Sequence, residues 1–318
     1  MFTICDSSHR VLGEAYYGTL IMEIMTESDN VVSLDADLIS ASGARKAWKT
    51  YPDRFYNIGV AEANMMGIAA GLSMTGLVPF VHTFACFATR RAYDQIYLSC
   101  AYAKNNIKIC ASDGGFNIGI NGGTHTSYED LGLMRMMPSV VVVEPCDETQ
   151  LRWTMKEITN QFGVHYIRVF RKPVRNIYEP DSKFSLGKGN VLRTGKDATI
   201  IACGAMVFEA LKAADILVEK GFQIGVIDMF TIKPLDIDLV LESARNSKMI
   251  VTAENHNVIG GLGSAVAEVL ADNGCGVPLR RIGCQDRFGQ VGSSDFLQKE
   301  YGMTYEEIIV SIERYLVK

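Results

Sequence analysis

The chain has 318 residues, of which 48% are hydrophobic and 21% charged, so it is long enough for about two globular domains with buried cores. Its net charge of −5 argues against a nucleic-acid-binding role, because neutralising phosphates requires a basic face. No apolar run approaches the roughly 20 residues that span a bilayer, and the first residues do not resemble a signal peptide, so we expect a cytoplasmic protein without membrane contact.

Short β-branched runs alternate with helical patterns along the first part of the chain. The spacing of apolar residues predicts strands at 30–34, 78–81, 107–111, 140–143 and 165–169, and helices at 61–73, 85–104, 130–136 and 147–161. Asp147 is a candidate N-cap of the last helix. Apolar strands joined by helices favour a parallel α/β sheet with helices on both faces.

A stretch rich in proline, glycine and charge then interrupts the pattern. The alternation resumes with strands predicted at 198–203, 223–229 and 248–253, and helices at 206–220, 235–245, 262–271 and 305–315. The sequence therefore predicts two α/β domains, over residues 1–172 and 191–318, with a linker over 173–190.

The eight cysteines and five histidines are dispersed, with no Cys-x-x-Cys pair, so we expect reduced, mostly buried thiols and no metal site in this chain. The turn at Gly261 and Gly263 resembles a dinucleotide-binding turn, but Val266 stands where the third glycine belongs. A tight turn that opens a helix needs glycines without any nucleotide, so we expect this one to be structural.

Glu62 is placed in the first turn of the helix at 61–73, directly after a strand-like run. In an open α/β sheet, ligands bind at this edge, where the strands end. A carboxylate at a helix start is also favoured by the helix dipole, so a solvated charge is the simpler interpretation. The flanking residues are apolar, however, which favours a half-buried acid suited to proton transfer.

Two further segments carry candidate site residues. Phe84 and Phe87 have the spacing either of core packing or of a clamp for a flat ring, and Arg91 and Asp94 have that of a surface ion pair. The loop at 111–131 holds five glycines within ten residues, which suits close backbone approach to a ligand. His125 near its end is either a satisfied loop histidine or a site residue.

In this order, the segments resemble the C-terminal portion of transketolase, over essentially the whole chain. The resemblance is carried by DADL (35–38), RFYNIGVAEANMMGIAAGL (54–72), PFVHTFACFATRRAYDQI (79–96), GTHTSYEDLGLMRMMPSVVVVEPCDETQ (123–150), TAENHNVIGGLGSAVAE (252–268) and DRFGQVGSSD (286–295). It implies a thiamine-diphosphate-binding fold of the pyrimidine type, followed by the smaller transketolase C-terminal domain. The chain most resembles transketolases whose gene is split, where this half is a separate polypeptide.

The resemblance also implies roles for individual residues. Glu62 matches the catalytic glutamate that hydrogen-bonds the aminopyrimidine of thiamine diphosphate and promotes loss of the thiazolium proton. Phe84 and Phe87 match the aromatic pocket of that ring, with Phe87 stacking on it. His125 matches a catalytic residue near the cofactor and the substrate hydroxyls, and Asp37 lies in a loop that packs near the cofactor.

The sugar-recognition end departs from the family pattern. Arg171 matches an arginine that binds the sugar phosphate. By contrast, His9 replaces an arginine, Asp113 a phosphate-binding histidine and Asn121 an aspartate that reads a donor hydroxyl. Because Asp113 repels a nearby anion, we expect a non-standard ketose or acceptor, such as a branched sugar phosphate or a sulfonated sugar.

The Gly-Asp-Gly…Asn motif that holds Mg²⁺ and the diphosphate in the family is absent. We therefore expect an N-terminal partner subunit to supply that site, in a heterotetramer of two subunits of each kind. The alternatives are an enzyme like 1-deoxyxylulose-5-phosphate synthase, the beta subunit of a 2-oxo acid dehydrogenase, and a catalytically silent regulatory subunit. The spacing of ACFATRRAYDQ and the THTSYEDL loop favour transketolase, and the retained site residues argue against a silent subunit.

Overall fold

The computed structural model describes residues 1–6 and 17–317, so His9 lies outside the described residues. The described chain forms a two-domain α/β fold with two mostly parallel sheets, which confirms the predicted fold class. No helix in the described part is long and apolar enough to cross a membrane. The eight cysteines all lie in the described ranges, where none forms a disulfide bond, and seven of them are buried.

The first domain contributes six parallel strands to a sheet: β1 (Val31–Asp35), β2 (Phe55–Asn57), β3 (Val78–Phe84), β4 (Ile107–Ser112), β5 (Val141–Val143) and β6 (Val164–Val169). They lie in the order β5-β6-β4-β3-β1-β2. Strands β1, β3, β4 and β6 are buried along their whole length, as expected where helices cover both faces of a parallel sheet.

The helices of this domain are α1 (Tyr17–Glu27), α2 (Arg45–Thr50), α3 (Glu62–Met74), α4 (Tyr93–Gln95), α5 (Asp130–Met136) and α6 (Glu148–Thr159). Asp147 caps α6 as predicted, because its carboxylate accepts a 2.8 Å hydrogen bond from the Gln150 backbone N–H. The helix predicted at 85–104 is not continuous. Two π-helical turns, Phe87–Arg91 and Ile96–Tyr102, flank α4, and turns of this kind are frequent at functional sites.

The second domain contains six strands: β7 (Asn190–Arg193), β8 (Ala198–Ala202), β9 (Ile224–Asp228), β10 (Thr231–Lys233), β11 (Ile250–Asn257) and β12 (Leu279–Cys284). Its helices are α7 (Met206–Glu219), α8 (Ile237–Asn246), α9 (Leu262–Asp272), α10 (Ser294–Glu300) and α11 (Tyr305–Leu316). Five of its strands form the second sheet, in the order β12-β11-β8-β9-β7. Only β7 runs antiparallel to its neighbour there.

Strand β10 leaves its own domain and joins the first sheet. It pairs antiparallel with β5, with Thr231 opposite Val143 and Lys233 opposite Val142. The Glu144 backbone N–H extends the pairing by donating to the Phe230 carbonyl, at 2.7 Å. The first sheet is therefore built from both domains.

A buried ion cluster also connects the two domains. Arg168 on β6 donates to Asp130 (Nε–Oδ2, 2.8 Å) and to Glu144 (Nη1–Oε1, 2.6 Å). The same guanidinium donates to the Asn255 carbonyl on β11, at 2.9 Å. All three charged side chains are buried, so the two carboxylates depend on Arg168 for compensation of their charge.

A buried carboxyl lies at a second junction between the domains. Asp228, at the end of β9, accepts hydrogen bonds from the Tyr178 hydroxyl (2.6 Å), the Gln150 amide (2.6 Å) and the Asn190 amide (3.1 Å). Burial raises the pKa of Asp228 to about 6, although these hydrogen bonds oppose the shift.

Candidate active site

The predicted site residues follow the carboxyl ends of the parallel strands. Glu62 begins α3 after β2, and Phe84 is the last residue of β3. Asp113 directly follows β4, and Arg171 lies two residues after β6. Because these strands are parallel, their ends meet at one edge of the sheet, and the residues that follow them are brought together there.

Glu62 is buried, with 4% of its side chain exposed, and its partner is Arg91. Arg91 Nη1 lies 3.2 Å from Oε1 and 3.4 Å from Oε2 of this carboxylate. The expected surface pair between Arg91 and Asp94 is therefore wrong. The turn Phe87–Arg91 is π-helical, and it carries Arg91 back to a carboxylate that is 29 positions away in the sequence.

The same guanidinium covers an aromatic face. The Arg91 guanidinium carbon lies 3.9 Å from the centre of the Phe87 ring. A planar group bearing N–H donors is thus held between the face of Phe87 and the carboxylate of Glu62.

Phe84, Phe87 and His125 form an aromatic wall beside Glu62. The Phe84 and Phe87 ring centres are 6.0 Å apart, and the His125 ring meets Phe87 edge-on, at 5.1 Å and 66°. His125 Nδ1 lies 2.9 Å from the Thr124 hydroxyl oxygen. The structure therefore brings these three predicted residues together, although they come from two separate segments of the chain.

The glycine-rich loop is shaped by contacts with the rest of the protein. Gly115 has a φ of +59°, and a Cβ built there overlaps the Asn255 side chain of the second domain. A Cβ on Gly114 overlaps the Arg168 guanidinium. Arg90 donates to the Thr124 carbonyl at 3.1 Å and so fixes the end of the loop. Positions 114 and 115 therefore require glycine because neighbouring side chains occupy the space that a Cβ would fill. The sequence did not suggest this requirement.

Arg171 and Asp113 form an ion pair at the edge of the aromatic wall. Arg171 Nε donates to Asp113 Oδ2 at 2.8 Å, and the Asp113 side chain is almost fully buried. Asp113 has a positive φ of 60°, which is uncommon for a residue other than glycine. The Arg171 guanidinium carbon lies 5.2 Å from the centre of the Phe84 ring. The acid expected to repel an anion is thus the direct partner of the arginine expected to bind one.

Two other predicted residues are exposed. Asn121 is exposed at the end of the 3₁₀-helix Gly115–Asn121. Asp37 is exposed, with a φ of +64°, and accepts a 3.0 Å hydrogen bond from the Asn57 side chain. Its neighbour Leu38 packs against the buried cluster that contains Phe84, so the loop that carries Asp37 contacts the aromatic wall through Leu38.

The sequence analysis missed a buried acid–imidazole pair. Asp35 Oδ2 lies 2.9 Å from His82 Nδ1, and both side chains are fully buried. The Tyr17 ring stacks on the imidazole, with ring centres 4.5 Å apart. His82 Nε2 has no hydrogen-bond partner within the described ranges. A histidine inside the apolar strand PFVHTF was the available signal.

The glycine turn at Gly261 and Gly263 binds a side chain of the protein itself. The Glu254 carboxylate accepts hydrogen bonds from the backbone N–H groups of Leu262 (2.7 Å) and Gly263 (2.8 Å). Burial raises the pKa of Glu254 to about 7. Because a carboxylate already fills the start of α9, the turn serves a structural role, as expected. Across residues 1–6 and 17–317, no group of three or more His, Cys, Asp or Glu side chains is arranged to hold a metal.

Several known proteins are similar to this chain in sequence and in structure. The chain is 47% identical to the 6-deoxy-6-sulfo-D-fructose transketolase subunit SqwH of Clostridium sp. (strain MSTE9), over 92% of this chain and 91% of that protein. It is 36% identical to an apulose-4-phosphate transketolase subunit of Phocaeicola vulgatus, over 94% and 95%. A solved structure described as a split gene transketolase, inactive beta4 tetramer, is 42% identical with a TM-score of 0.88, and the match covers 95% of this chain and 97% of that one.

The chain is also similar, at lower identity, to enzymes of one of the alternative classes, the 1-deoxy-D-xylulose-5-phosphate synthases. The 1-deoxy-D-xylulose-5-phosphate synthase of Syntrophotalea carbinolica is 35% identical over 94% of this chain but only 47% of its own length. Residues 13–176 match the family model for the transketolase pyrimidine binding domain, and residues 187–308 match that for the transketolase C-terminal domain. The chain therefore belongs to the transketolase family.

Proposed function

We propose that this chain is the C-terminal subunit of a transketolase that moves a two-carbon ketol unit from a ketose to an aldose. The observation that carries the proposal is that one planar group, the Arg91 guanidinium, contacts both the buried Glu62 carboxylate and the face of the Phe87 ring, which leaves a gap there once it moves away. The transketolase family implies dependence on thiamine diphosphate.

The residues of the gap fit the aminopyrimidine of that cofactor. The Arg91 guanidinium lies in the gap as a stand-in, since it is planar, stacks on Phe87 and donates in-plane N–H groups to Glu62. A flat heterocycle satisfies the same two surfaces, with its face on Phe87 and a protonated ring nitrogen on the carboxylate. Glu62 and Phe87 would therefore hold the ring, and Phe84 would close its edge.

When bound, thiamine diphosphate supplies the nucleophilic carbon that attacks the ketose carbonyl. Glu62 is placed to hold the ring nitrogen by a hydrogen bond and to exchange a proton with it. The His125 ring adjoins Phe87, and Thr124 occupies its Nδ1, which leaves Nε2 to bind a substrate hydroxyl. Phe84, Phe87 and His125 would shield the face of a bound ring from water.

The diphosphate and Mg²⁺ require residues from elsewhere. We place their ligands on an N-terminal partner subunit, and we propose a heterotetramer with two subunits of each kind. The absence of a Gly-Asp-Gly…Asn motif supports this assignment, as does the inactive state named for the split-gene relative. Within this chain we propose a pyrimidine-binding domain over residues 1–172, a linker over 173–190 and a C-terminal domain over 191–318.

We also propose a non-standard sugar substrate. Asp113 and Asn121 depart from the family pattern, and two relatives are transketolase subunits named for 6-deoxy-6-sulfo-D-fructose and for apulose 4-phosphate. The ketose donor or the aldose acceptor is therefore a non-standard anionic sugar, either a sulfonated sugar or a branched sugar phosphate.

The test is reconstitution with the partner subunit. The chain alone, supplied with thiamine diphosphate, Mg²⁺, a ketose and an aldose, should transfer no ketol unit, whereas the complex should be active. Glu62→Gln should reduce turnover of the complex by about 10²-fold or more, because it removes the proton-exchanging group. Glu219→Gln, an equivalent change at the exposed end of α7, should have no effect. Full activity of the Glu62→Gln complex, or CO₂ release from pyruvate in place of ketol transfer, contradicts the proposal.

A further inference from the structure

A cavity of about 570 Å³ lies between the two domains, and Asp113 and Arg171 line it. The walls also include Phe116 of the 3₁₀-helix, Phe208 on α7 and Ser294 at the start of α10. This volume is within the range of binding sites for small molecules and is large enough for a single sugar molecule. Because Arg171 also covers Phe84, the cavity adjoins the aromatic wall of the candidate active site.

The charged residues of the cavity nearly balance. Four cationic side chains line it, and three carboxylates oppose them, which gives a single net positive charge. They are Arg171, Lys172, Arg175 and Lys212, with Asp113, Glu209 and Asp295. Lys172 Nζ donates to the Asn117 carbonyl at 2.9 Å, and the Lys212 ammonium lies 3.6 Å from the centre of the Tyr305 ring.

The Arg171–Asp113 pair sets the local charge in its own part of the cavity. Asp113 binds the Nε edge of the guanidinium, and no hydrogen bond from the two Nη groups occurs within the part of the chain that the structure describes. Those groups can bind an anion, while the buried carboxylate offsets the arginine's charge. A paired arginine attracts a second anion by its hydrogen-bond donors more than by net charge.

We infer that Asp113 is a specificity residue of this cavity, because its charge lowers the affinity for a doubly charged phosphate at the end of the sugar relative to a singly charged sulfonate. The inference rests on the proposed function. A sulfonate carries one negative charge, whereas a phosphate monoester carries about −1.5 to −2 at pH 7. The additional charge is repelled by Asp113, which at a separation of about 6 Å in a partly hydrated site corresponds to roughly tenfold in affinity.

The experiment compares two donors that differ only in the anion, 6-deoxy-6-sulfo-D-fructose and D-fructose 6-phosphate, with the reconstituted complex. The ratio of kcat/KM for the two donors in the wild type is the reference. Asp113→Asn keeps an acceptor for Arg171 Nε and tolerates the positive φ, but it removes the charge. It should raise kcat/KM for the phosphate donor about tenfold relative to the sulfonate, mainly through KM. Asp181→Asn, at an exposed position, is the matched control.

A third donor separates this inference from the proposed function. Arg171→Met should lower kcat/KM for both anionic donors at least tenfold more than it lowers kcat/KM for an uncharged ketose, L-erythrulose. A donor ratio unaffected by Asp113→Asn overturns the role of Asp113 in selectivity while transketolase activity stands. An equal loss with L-erythrulose shows that Arg171 does not bind the anion. Absence of transfer from all three donors refutes the proposed function itself.

Discussion

Arg91 occupies the gap in which we place the aminopyrimidine ring of the cofactor. Its guanidinium lies 3.9 Å from the centre of the Phe87 ring and donates to both oxygens of Glu62. A ring that stacks on Phe87 and bonds to Glu62 must first displace it. Arg91→Ala removes this competitor and should therefore strengthen binding of the ring.

The size of the effect follows from the two contacts that the ring replaces. The Arg91 side chain is 49% exposed, so solvent screening limits its ion pair to about 0.2–1 kcal/mol. A cation–π contact at an exposed site contributes about 0.5–1 kcal/mol. Together they amount to about 1–2 kcal/mol, which corresponds to roughly 5- to 30-fold in the dissociation constant.

The assay uses the part of the cofactor that this chain alone should bind. The fragment 4-amino-5-hydroxymethyl-2-methylpyrimidine is titrated into the full-length chain and followed by ligand-observed NMR. Arg91→Ala should tighten binding by the factor above, and Arg91→Lys, which keeps the charge without the planar group, should fall between the two. Arg280→Ala is the control, because it removes an exposed arginine from β12.

A fragment affinity that is unchanged or weaker in Arg91→Ala refutes this reasoning. Weaker binding assigns Arg91 to the cofactor site as a ligand. Glu62→Gln should weaken fragment binding in either case, so it shows independently whether the ring binds at this carboxylate.

Three further predictions concern stability. Arg168→Met should lower the free energy of unfolding by about 3–5 kcal/mol in denaturant titrations, because it leaves two buried carboxylates uncompensated, and a loss below 1 kcal/mol would count against the ion cluster. The pKa of Asp228 is about 6 in the folded protein and near 4 in the unfolded chain, so the contribution of this group to the free energy of unfolding is fully present below pH 4 and is lost as pH rises through 6. Relative to Asp228→Asn, the wild type should therefore lose stability between pH 4 and 6, by at most about 1.4 kcal/mol per pH unit. Gly115→Ala should cost about 2 kcal/mol or more, measured as a lower midpoint of thermal unfolding, because the new methyl group collides with Asn255 and the φ is positive, and a neutral effect would contradict the close packing of the two domains.

The local elements were readable from the sequence because their signals are local. The start of α3 at Glu62 and the cap at Asp147 follow from residues within one helical turn. The aromatic wall required the family resemblance as well, since the spacing of Phe84 and Phe87 is equally typical of core packing. Only the fold brings His125 to their ring edges.

The ion pairs were not readable, because their partners are distant in the sequence. Arg91 has Asp94 at pairing distance on a regular helix, but the π-helical turn directs it to Glu62. Asp113 and Arg171 are 58 positions apart, so their pairing was not foreseen, and the carboxylate was interpreted only as a repulsive charge. Likewise, the need for glycine at position 115 comes from Asn255 in the other domain.

Strand β10 has a consequence for how this polypeptide can be divided. It covers the backbone N–H and C=O groups along the open side of β5, and it belongs to the second domain. A truncated protein ending before β7 would expose that edge of Val141–Val143, an apolar strand that can pair with other copies and aggregate. We therefore expect the two domains to be expressed and purified successfully only as one piece, with any viable break in the gene falling before the first domain.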